Sequence, residues 1–231
     1  MIQALVFDFG NVVGYFDHRL TTQRLVSHSA LPAAKLHAVI NGRGVEEDYE
    51  TGRLSTSDFL ERIRLEGRIC CAEEVIVSAY SEIFWPNPEV CALLPELKRT
   101  QKLLLGSNTS ELHARQFRRQ FADVLKHFDA QVLSHEIGVR KPNRGFFEEC
   151  LRQAGCAPGE CVFIDDLESN VAGARACGWH GIVYASLEEL QAELAKLGVK
   201  LPSAKQRKSR QAADTTQLST LEDIDELAQE R

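Results

Sequence analysis

Polar side chains that can carry out chemistry follow three short apolar segments of the chain. Asp8 lies near the end of ALVFDF, Ser107 and Asn108 follow KLLLG, and Asp165 and Asp166 follow CVFI. A single Asp or Ser at the end of a strand is most often a helix N-cap. Together, acids that can bind a divalent cation and groups that can bind phosphate oxygens are typical of phosphoryl transfer.

Lys141 adds the positive charge that such a site needs. It follows the segment SHEIGVR, a short distance beyond the apolar run at 130–134. A lysine can offset the negative charge that a nucleophilic carboxylate shares with a bound phosphate. These groups can act together only if the fold brings the ends of the apolar segments to one place.

Five short apolar runs can form a sheet that does this. They alternate with segments of helical periodicity, such as FFEECLRQAG, and their continuous apolarity indicates burial on both faces. We therefore predict a doubly wound α/β fold with a parallel sheet, in which ligands bind beyond the carboxyl ends of the strands. The runs are at 4–9, 102–107, 130–134, 161–165 and 181–185.

The chain between the first two runs has a different pattern, with helical segments but no convincing buried strand. One helix is predicted to begin with a cap formed by Ser55 and Asp58, and it places Leu60 and Ile63 on one side. An insertion rooted directly after the first strand would cover the site as a lid. The predicted boundaries are an α/β core of residues 1–16 and 89–200, a helical cap of residues 17–88 and a charged tail of residues 201–231 with a short helix at STLEDIDEL.

Composition and net charge exclude several kinds of partner and site. The chain has 231 residues with 44% hydrophobic residues and a net charge of −6, so we expect neither nucleic acid nor a membrane as a partner. Its seven scattered cysteines form no metal-binding spacing and are expected to be reduced. The first residues lead directly into a strand, so we expect a cytoplasmic protein. The sequence does not decide between a monomer and a homodimer.

Four motifs, in this order, resemble the haloacid dehalogenase superfamily, specifically its phosphatase-like members with a small helical cap. That subgroup includes sugar-phosphate phosphatases and the N-terminal domains of epoxide hydrolases. The similarity covers residues 1 to about 200 and leaves the tail outside it. The motifs are FDFGNVV at 7–13, SNTSELH at 107–113, RKP at 140–142 and FIDDLESNVAGARACG at 163–178, with the cap segment YETGRLSTSDF at 49–59.

The resemblance implies a role for each matching residue. Asp8 would be the nucleophile that forms an aspartyl-phosphate. Ser107 and Asn108 would bind the phosphate, and Lys141 would offset its charge. Magnesium would be bound by Asp8, the backbone carbonyl of Gly10 and Asp166, with Asp165 beside them. The supporting residues would be Asn11 and Asn170.

Gly10 departs from the most familiar form of the first motif, which has an aspartate two residues after the nucleophile. That aspartate protonates the leaving group, and general acid catalysis typically contributes ~10²–10⁴-fold. Three interpretations remain open: a substrate with a good leaving group, a substitute acid at Asp17 or His18, or a phosphate-binding or regulatory protein with little turnover. Four cap residues are candidate substrate contacts: Arg43, Tyr49, Glu50 and Arg53.

The resulting prediction is a magnesium-dependent phosphatase that acts on a small phosphorylated metabolite, with sugar phosphates favoured. The rival activity within the resembling superfamily is dehalogenation of a 2-haloacid, in which the same aspartate attacks carbon without a metal. Asp165 and Asp166 disfavour this rival, because adjacent acids would repel the nucleophile and the substrate anion unless a cation lies between them.

Overall fold

A parallel sheet forms the centre of the protein in a computed structural model that describes residues 1–42 and 44–201. The strand order is β5-β4-β1-β6-β7, so the first strand lies in the middle of the sheet. The predicted doubly wound α/β fold is confirmed. The strands are β1 (Ala4–Phe7), β4 (Lys102–Ser107), β5 (Ala130–Leu133), β6 (Cys161–Asp165) and β7 (His180–Val183).

The strand register brings the predicted site residues to one edge of the sheet. Phe7 pairs with Leu105 on one side and with Ile164 on the other. Asp8 and Asp165 each follow a residue of the second pair and therefore lie next to each other. All four residues of β1 are buried, as continuous apolar strands require when helices cover both faces.

Helices pack on both sides of this sheet. One apolar layer contains Val6, Phe163, Phe146, Phe147 and Trp179, all buried. The helices of this part are α6 (Pro88–Leu97), α7 (Glu111–Gln120), α8 (Ala122–Leu125), α9 (Ser134–Ile137), α10 (Arg144–Ala154), α11 (Glu168–Ala176) and α12 (Leu187–Lys196), with a 3₁₀ turn at Pro158–Glu160. None of the helices among the described residues is long and apolar enough to cross a membrane.

A second group of helices lies between β1 and α6 along the chain. As predicted, Ser55 caps one of them by accepting a hydrogen bond from the backbone N–H of Asp58 at 3.1 Å. Leu60 and Ile63 of that helix are buried in an apolar cluster that also includes Leu112 of α7. The helices are α1 (Arg19–Leu25), α2 (Ala33–Ile40), α3 (Val45–Glu50), α4 (Thr56–Glu66) and α5 (Glu73–Ser81), with a 3₁₀ turn at Val26–His28.

A short antiparallel ribbon at the two ends of this helical group was not predicted. It joins β2 (Gly14–Phe16) to β3 (Phe84–Pro86), with Tyr15 opposite Trp85. Phe84 packs against Phe9 with ring centroids 5.5 Å apart, so this aromatic residue packs at the root of the insertion. The cap boundaries at 17 and 88 stay a prediction, and Arg43 and the tail from residue 202 onward lie outside the described residues.

Candidate active site

Lys141 lies between two carboxylates at the edge of the sheet. Its ammonium group donates hydrogen bonds to Asp8 Oδ1 at 2.6 Å, to Asp165 Oδ2 at 2.8 Å and to the backbone carbonyl of Gly106 at 2.9 Å. All three side chains are buried. Because Lys141 has three N–H donors, these contacts use its full hydrogen-bonding capacity and fix its position.

Burial and charge set the protonation of this group. Burial raises the pKa of Asp8 to about 7, with a further contribution from the neighbouring Asp165 charge and against the opposing effect of Lys141. Burial alone would lower the pKa of Lys141, but Asp8 and Asp165 outweigh it, and the pKa lies above its ordinary value. The lysine is therefore charged, while Asp8 needs a further positive charge to be fully ionised at neutral pH.

Asp165 and Asp166 differ in their surroundings. Asp165 is fully buried and accepts hydrogen bonds from Asn170 at 3.0 and 3.1 Å and from the backbone N–H of Leu167 at 2.9 Å. Asp166 is half-buried, and its Oδ2 accepts a hydrogen bond from Asn11 at 2.9 Å. Burial raises the pKa of Asp166, with the charge of Asp165 adding to the effect. Of the two acids, Asp166 is therefore the one that faces a ligand.

The loop after β4 supplies the remaining polar groups. Ser107 is buried at the end of the strand and has its hydroxyl 3.3 Å from the carbonyl of Asn108. The side chain of Asn108 accepts a hydrogen bond from the backbone N–H of Lys141 at 2.8 Å and donates one to its carbonyl at 3.1 Å. Asn108 thereby holds the segment that presents Lys141, while the Ser107 hydroxyl donates its one hydrogen to the Asn108 carbonyl.

The three acids form a group of suitable size and chemistry for a hard divalent cation. Carboxylate oxygens of Asp8, Asp165 and Asp166 all lie within 4.8 Å of one another. Lys141 contacts the first two, but no cationic side chain pairs with Asp166 among the described residues. Oxygen ligands at this spacing fit Mg²⁺, and its charge would counter the burial and the mutual repulsion that raise the pKa of Asp8.

These residues line a cleft of about 270 Å³. Of the residues predicted as nucleophile, phosphate or metal ligands, supporting residues and substitute acids, all except Asp165 and Asp17 line this cleft. Asp165 lies behind Lys141, and Asp17 is held outside by Arg19, whose guanidinium approaches the carboxylate to 2.8 Å. The structure thus brings the predicted residues together, whereas their individual roles stay predictions.

His18 is the member of the candidate acid pair that faces the cleft. Burial lowers its pKa, with the nearby charge of His37 adding to the shift. The imidazole is therefore mostly neutral at neutral pH, and its Nδ1 has no hydrogen-bond partner among the described residues. A neutral imidazole is a weak proton donor, so His18 would be a poor replacement for a carboxylic acid.

Helix α3 of the helical insertion places two acids in the cleft. Glu50 was among the candidate contacts and lines the cleft with Glu46, four residues earlier on the same helical face. Two other candidates do not reach it: Tyr49 binds Thr56 and the backbone of Leu112, and Arg53 pairs with Asp48 on the surface. Sequence reasoning missed Glu46, although its spacing from Glu50 gave a signal.

Arg140 and Phe16 are two further cleft residues that the sequence analysis did not assign. The guanidinium Nε of Arg140 lies 2.8 Å from Glu50 Oε2, so the residue before Lys141 links the core to α3. Phe16 of β2 packs beside Gly10. The position of Arg140 within the RKP motif was a usable signal, whereas nothing local marked Phe16.

Comparison with known proteins supports this description. Residues 2–178 match the family model described as haloacid dehalogenase-like hydrolase. The chain is similar to glyceraldehyde 3-phosphate phosphatase of Methanopyrus kandleri, with 37% identity over 95 residues, which are 40% of this chain and 40% of the relative. It is also similar to D-ribitol-5-phosphate phosphatase of Bacteroides thetaiotaomicron, with 23% identity over 185 residues, which are 78% of this chain and 90% of the relative.

A solved structure shows the same fold. It is a haloacid dehalogenase family enzyme of Bacteroides thetaiotaomicron in complex with magnesium and inorganic phosphate. The TM-score is 0.71 at 22% identity, and the match covers 82% of this chain and 99% of that one. The chain spans less than half the length of the archaeal phosphatase that it matches, but nearly the whole of this bacterial enzyme.

Proposed function

The chain belongs to the haloacid dehalogenase-like hydrolase family, and we propose that it is a magnesium-dependent phosphatase that hydrolyses a small phosphomonoester. The observation that carries the proposal is the placement of Asp8 against Lys141 at the edge of the cleft, within 4.8 Å of the other two acids. A carboxylate, a buried ammonium group and a cation site together are suited to attack on a phosphoryl group.

Asp8 would act as the nucleophile. Its free carboxylate oxygen attacks phosphorus, the bond from phosphorus to the leaving-group oxygen breaks, and that oxygen takes up a proton from solvent water as it departs. Water then attacks the phosphorus of the aspartyl-phosphate, which releases inorganic phosphate and returns the Asp8 carboxylate. Lys141, fixed by Asp165 and by the carbonyl of Gly106, supplies positive charge throughout.

Other residues would bind and orient the phosphate. Ser107 donates its hydroxyl hydrogen to a phosphate oxygen. The loop after Ser107 leads into the start of α7, whose backbone N–H groups are further donors for phosphate. When bound, Mg²⁺ would be held by Asp8, Asp166 and the carbonyl of Gly10, and it would neutralise charge on the phosphoryl group. Asn11 would orient Asp166, as its hydrogen bond already does.

The substrate class follows from what the cleft lacks. Gly10 offers no acid, Asp17 lies outside the cleft, and the pKa of His18 is lowered by burial. None of these three positions would therefore donate a proton efficiently to a poor leaving group. We favour a sugar phosphate with an activated leaving group, such as a sugar 1-phosphate. The names of the two similar phosphatases support a small phosphorylated metabolite as the substrate.

Phosphate release from a panel of phosphomonoesters tests the proposal. The panel spans sugar 1-phosphates and simple alkyl phosphates, measured with and without Mg²⁺, with Asp8→Asn as the blank. We expect magnesium-dependent turnover of the activated esters, weak turnover of the alkyl esters and none in Asp8→Asn. Failure to release phosphate from any ester, while phosphate still binds, would favour a phosphate-binding protein with little turnover.

A further inference from the structure

The loop between β1 and β2, which we call the β1–β2 loop, would supply one metal ligand, the Gly10 carbonyl. Hydrogen bonds within the loop close it on itself. The backbone N–H of Asn11 donates to the Gly14 carbonyl at 2.8 Å. The N–H groups of Val13 and Gly14 both donate to the Phe9 carbonyl, at 3.0 and 2.8 Å. A loop closed in this way keeps its shape, so its contacts with the rest of the core set the direction of the Gly10 carbonyl.

Asn87, the residue directly before α6, holds a part of the β1–β2 loop that does not line the cleft. Its Nδ2 donates a hydrogen bond to the Val12 carbonyl at 2.9 Å, and its backbone N–H donates one to the Val13 carbonyl at 3.0 Å. Asn87 is only 1% exposed, and both valines are fully buried. These two hydrogen bonds fix the orientation of the loop relative to the start of α6.

The side chain of Asn87 does not serve the usual purpose of an asparagine at this position. An asparagine that precedes a helix usually accepts a hydrogen bond from a backbone N–H of the first turn. Asn87 makes no such bond, and its Oδ1 is buried without a hydrogen-bond partner among the described residues. Leaving a buried oxygen unpaired costs stability. The side chain is therefore oriented for its donor group, which the Val12 carbonyl requires, rather than for capping α6.

The same amide group reaches the other chain segment that would bind the metal. Asn87 Nδ2 also donates a hydrogen bond, at 2.9 Å, to the hydroxyl oxygen of Tyr184, the residue directly after β7. The backbone N–H of Tyr184 in turn donates to the Asp165 carbonyl at 2.9 Å. That carbonyl belongs to the peptide that joins Asp165 to Asp166. The Asn87 amide thus connects the β1–β2 loop to the segment that presents Asp166.

Two connections therefore hold the predicted metal ligands at their spacing. Asn11 binds Asp166 within the cleft. Asn87 and Tyr184 join the same two segments at positions that do not line the cleft. Residues that orient metal ligands typically contribute about 10–100-fold to metal affinity.

We propose that Asn87 and Tyr184 are positioning residues for a divalent cation. Their hydrogen bond sets the spacing between the Gly10 carbonyl and Asp166, and thereby the affinity of the site for the metal. The inference rests on the metal site of the proposed function. Because neither residue lines the cleft, each acts through the backbone groups that it holds.

Binding of Mn²⁺ tests this role without turnover. Mn²⁺ prefers the same oxygen ligands as Mg²⁺, and electron paramagnetic resonance measures its free concentration in the presence of the protein. Tyr184→Phe keeps the ring and removes only the hydroxyl, so we expect Kd to rise about threefold, as for the loss of one hydrogen bond. Asn87→Ala removes both side-chain hydrogen bonds and should raise Kd about tenfold.

The double variant tests whether the two residues act as one connection. It should bind Mn²⁺ as weakly as Asn87→Ala alone, because the Tyr184 hydroxyl acts through Asn87. Effects that multiply would show two separate contributions and would overturn the proposed connection. If Asn87→Ala does not fold, Tyr184→Phe decides the outcome on its own.

Tyr15→Phe is the matched control. Tyr15 is half-buried on β2, directly beyond the β1–β2 loop, and its hydroxyl makes no hydrogen bond among the described residues. It should bind Mn²⁺ with the wild-type Kd. Urea denaturation of the metal-free protein separates positioning from stability. A lower free energy of unfolding in Tyr184→Phe with an unchanged Kd would show a purely structural role and would overturn the proposal.

Hydrolysis of p-nitrophenyl phosphate gives a second readout and separates this inference from the proposed function. Tyr184→Phe should need about threefold more Mg²⁺ for half of its maximal rate and should reach the wild-type rate at saturating Mg²⁺. Absence of Mn²⁺ binding in the wild type would overturn the inference. The expected changes in Mn²⁺ binding without hydrolysis of any ester would retain the inference and overturn only the phosphatase function.

Discussion

Position 10 shows how one residue excludes the usual acid from this site. A Cβ atom built on Gly10 would lie 2.7 Å from Cε1 of Phe16, closer than such atoms normally approach. The aromatic ring of Phe16 therefore fills the space into which a side chain at position 10 would project. Gly10 and Phe16 form a matched pair, and restoring an aspartate requires more than one substitution.

Gly10→Asp should consequently destabilise the protein without improving catalysis. We expect a loss of about 1–3 kcal/mol in the free energy of unfolding, the usual cost of overpacking, and no gain in turnover of alkyl phosphates. Urea denaturation and phosphate release measure the two effects. Gly159→Ala is the control, because a Cβ there meets no atom of the described residues within 4 Å. Full stability together with increased turnover would show that the Phe16 ring moves aside.

The positions of Asp8, Ser107, Asp165 and Asp166 could be predicted from sequence, because each lies at or directly after the end of a strand, whereas their roles in binding phosphate and metal stay predictions. Asp8 and Asp165 lie side by side through strand register alone. Glu46 could not be placed in this way, since it reaches the cleft only through the packing of α3 against the core, and Arg140 had only its position in the RKP motif as a signal. Which face of a cap helix points at the site depends on tertiary contacts rather than on local pattern.

Helices and strands show the same contrast between features that the local sequence sets and features that depend on tertiary contacts. The strands at 102–107 and 161–165 match their predicted bounds because long apolar runs specify buried strands. The ribbon of β2 and β3 was missed because each strand has three residues, β3 is partly or fully exposed, and its partner lies some 70 residues away. This pairing is stabilised by contacts of Phe84 with Phe9 and Phe117. The hydrophobic periodicity of the sequence does not reveal such long-range contacts.

His113 connects α7 of the core to α5 of the helical insertion. Its Nε2 lies 3.0 Å from the carbonyl of Tyr80, so this nitrogen carries the proton and donates it. The imidazole stacks on the Tyr80 ring at 4.2 Å between centroids. Burial lowers the pKa of His113 to about 3, with the neighbouring His18 adding to the shift. The contact between these two helices is thus formed by a neutral histidine.

This contact should make the protein sensitive to acid. Because the folded pKa is depressed below the unfolded value of 6.5, the stabilisation is complete above pH 6.5 and is lost as the pH falls toward 3. In His113→Gln, the slope of unfolding free energy against pH below 6 should be smaller than in the wild type by about 1.4 kcal/mol per pH unit. Denaturant titrations between pH 4 and 7 measure it.

The exposed His28 supplies the comparison for this measurement. His28→Gln should follow the wild-type pH dependence, because an exposed imidazole changes little in environment on unfolding. If His113→Gln and the wild type lose stability in parallel between pH 6 and 4, the acid sensitivity arises elsewhere and His113 is not buried in its neutral form.

On the scale of the molecule, the helical insertion and the α/β core form one compact unit spanning Met1–Val199. The apolar cluster of the insertion includes Leu112 of α7, and the ribbon of β2 and β3 adds a second connection. Hydrophobic contacts that continue from one part to the other favour a single unfolding transition. A cleft that lies between these parts therefore keeps its geometry only while both remain folded.

Destabilisation by a substitution deep in the insertion should therefore shift the unfolding transition that a distant tryptophan reports. Ile63 is fully buried in α4, and Ile63→Ala should cost about 2–5 kcal/mol. In a Trp85→Phe background, fluorescence reports only Trp179, which is buried in the core layer. We expect the Trp179 transition to move to lower urea with an unchanged slope, whereas Leu65→Ala, exposed on the same helix, leaves it in place. An unshifted Trp179 transition, with part of the helical circular dichroism lost at lower urea, would mean that the insertion unfolds on its own.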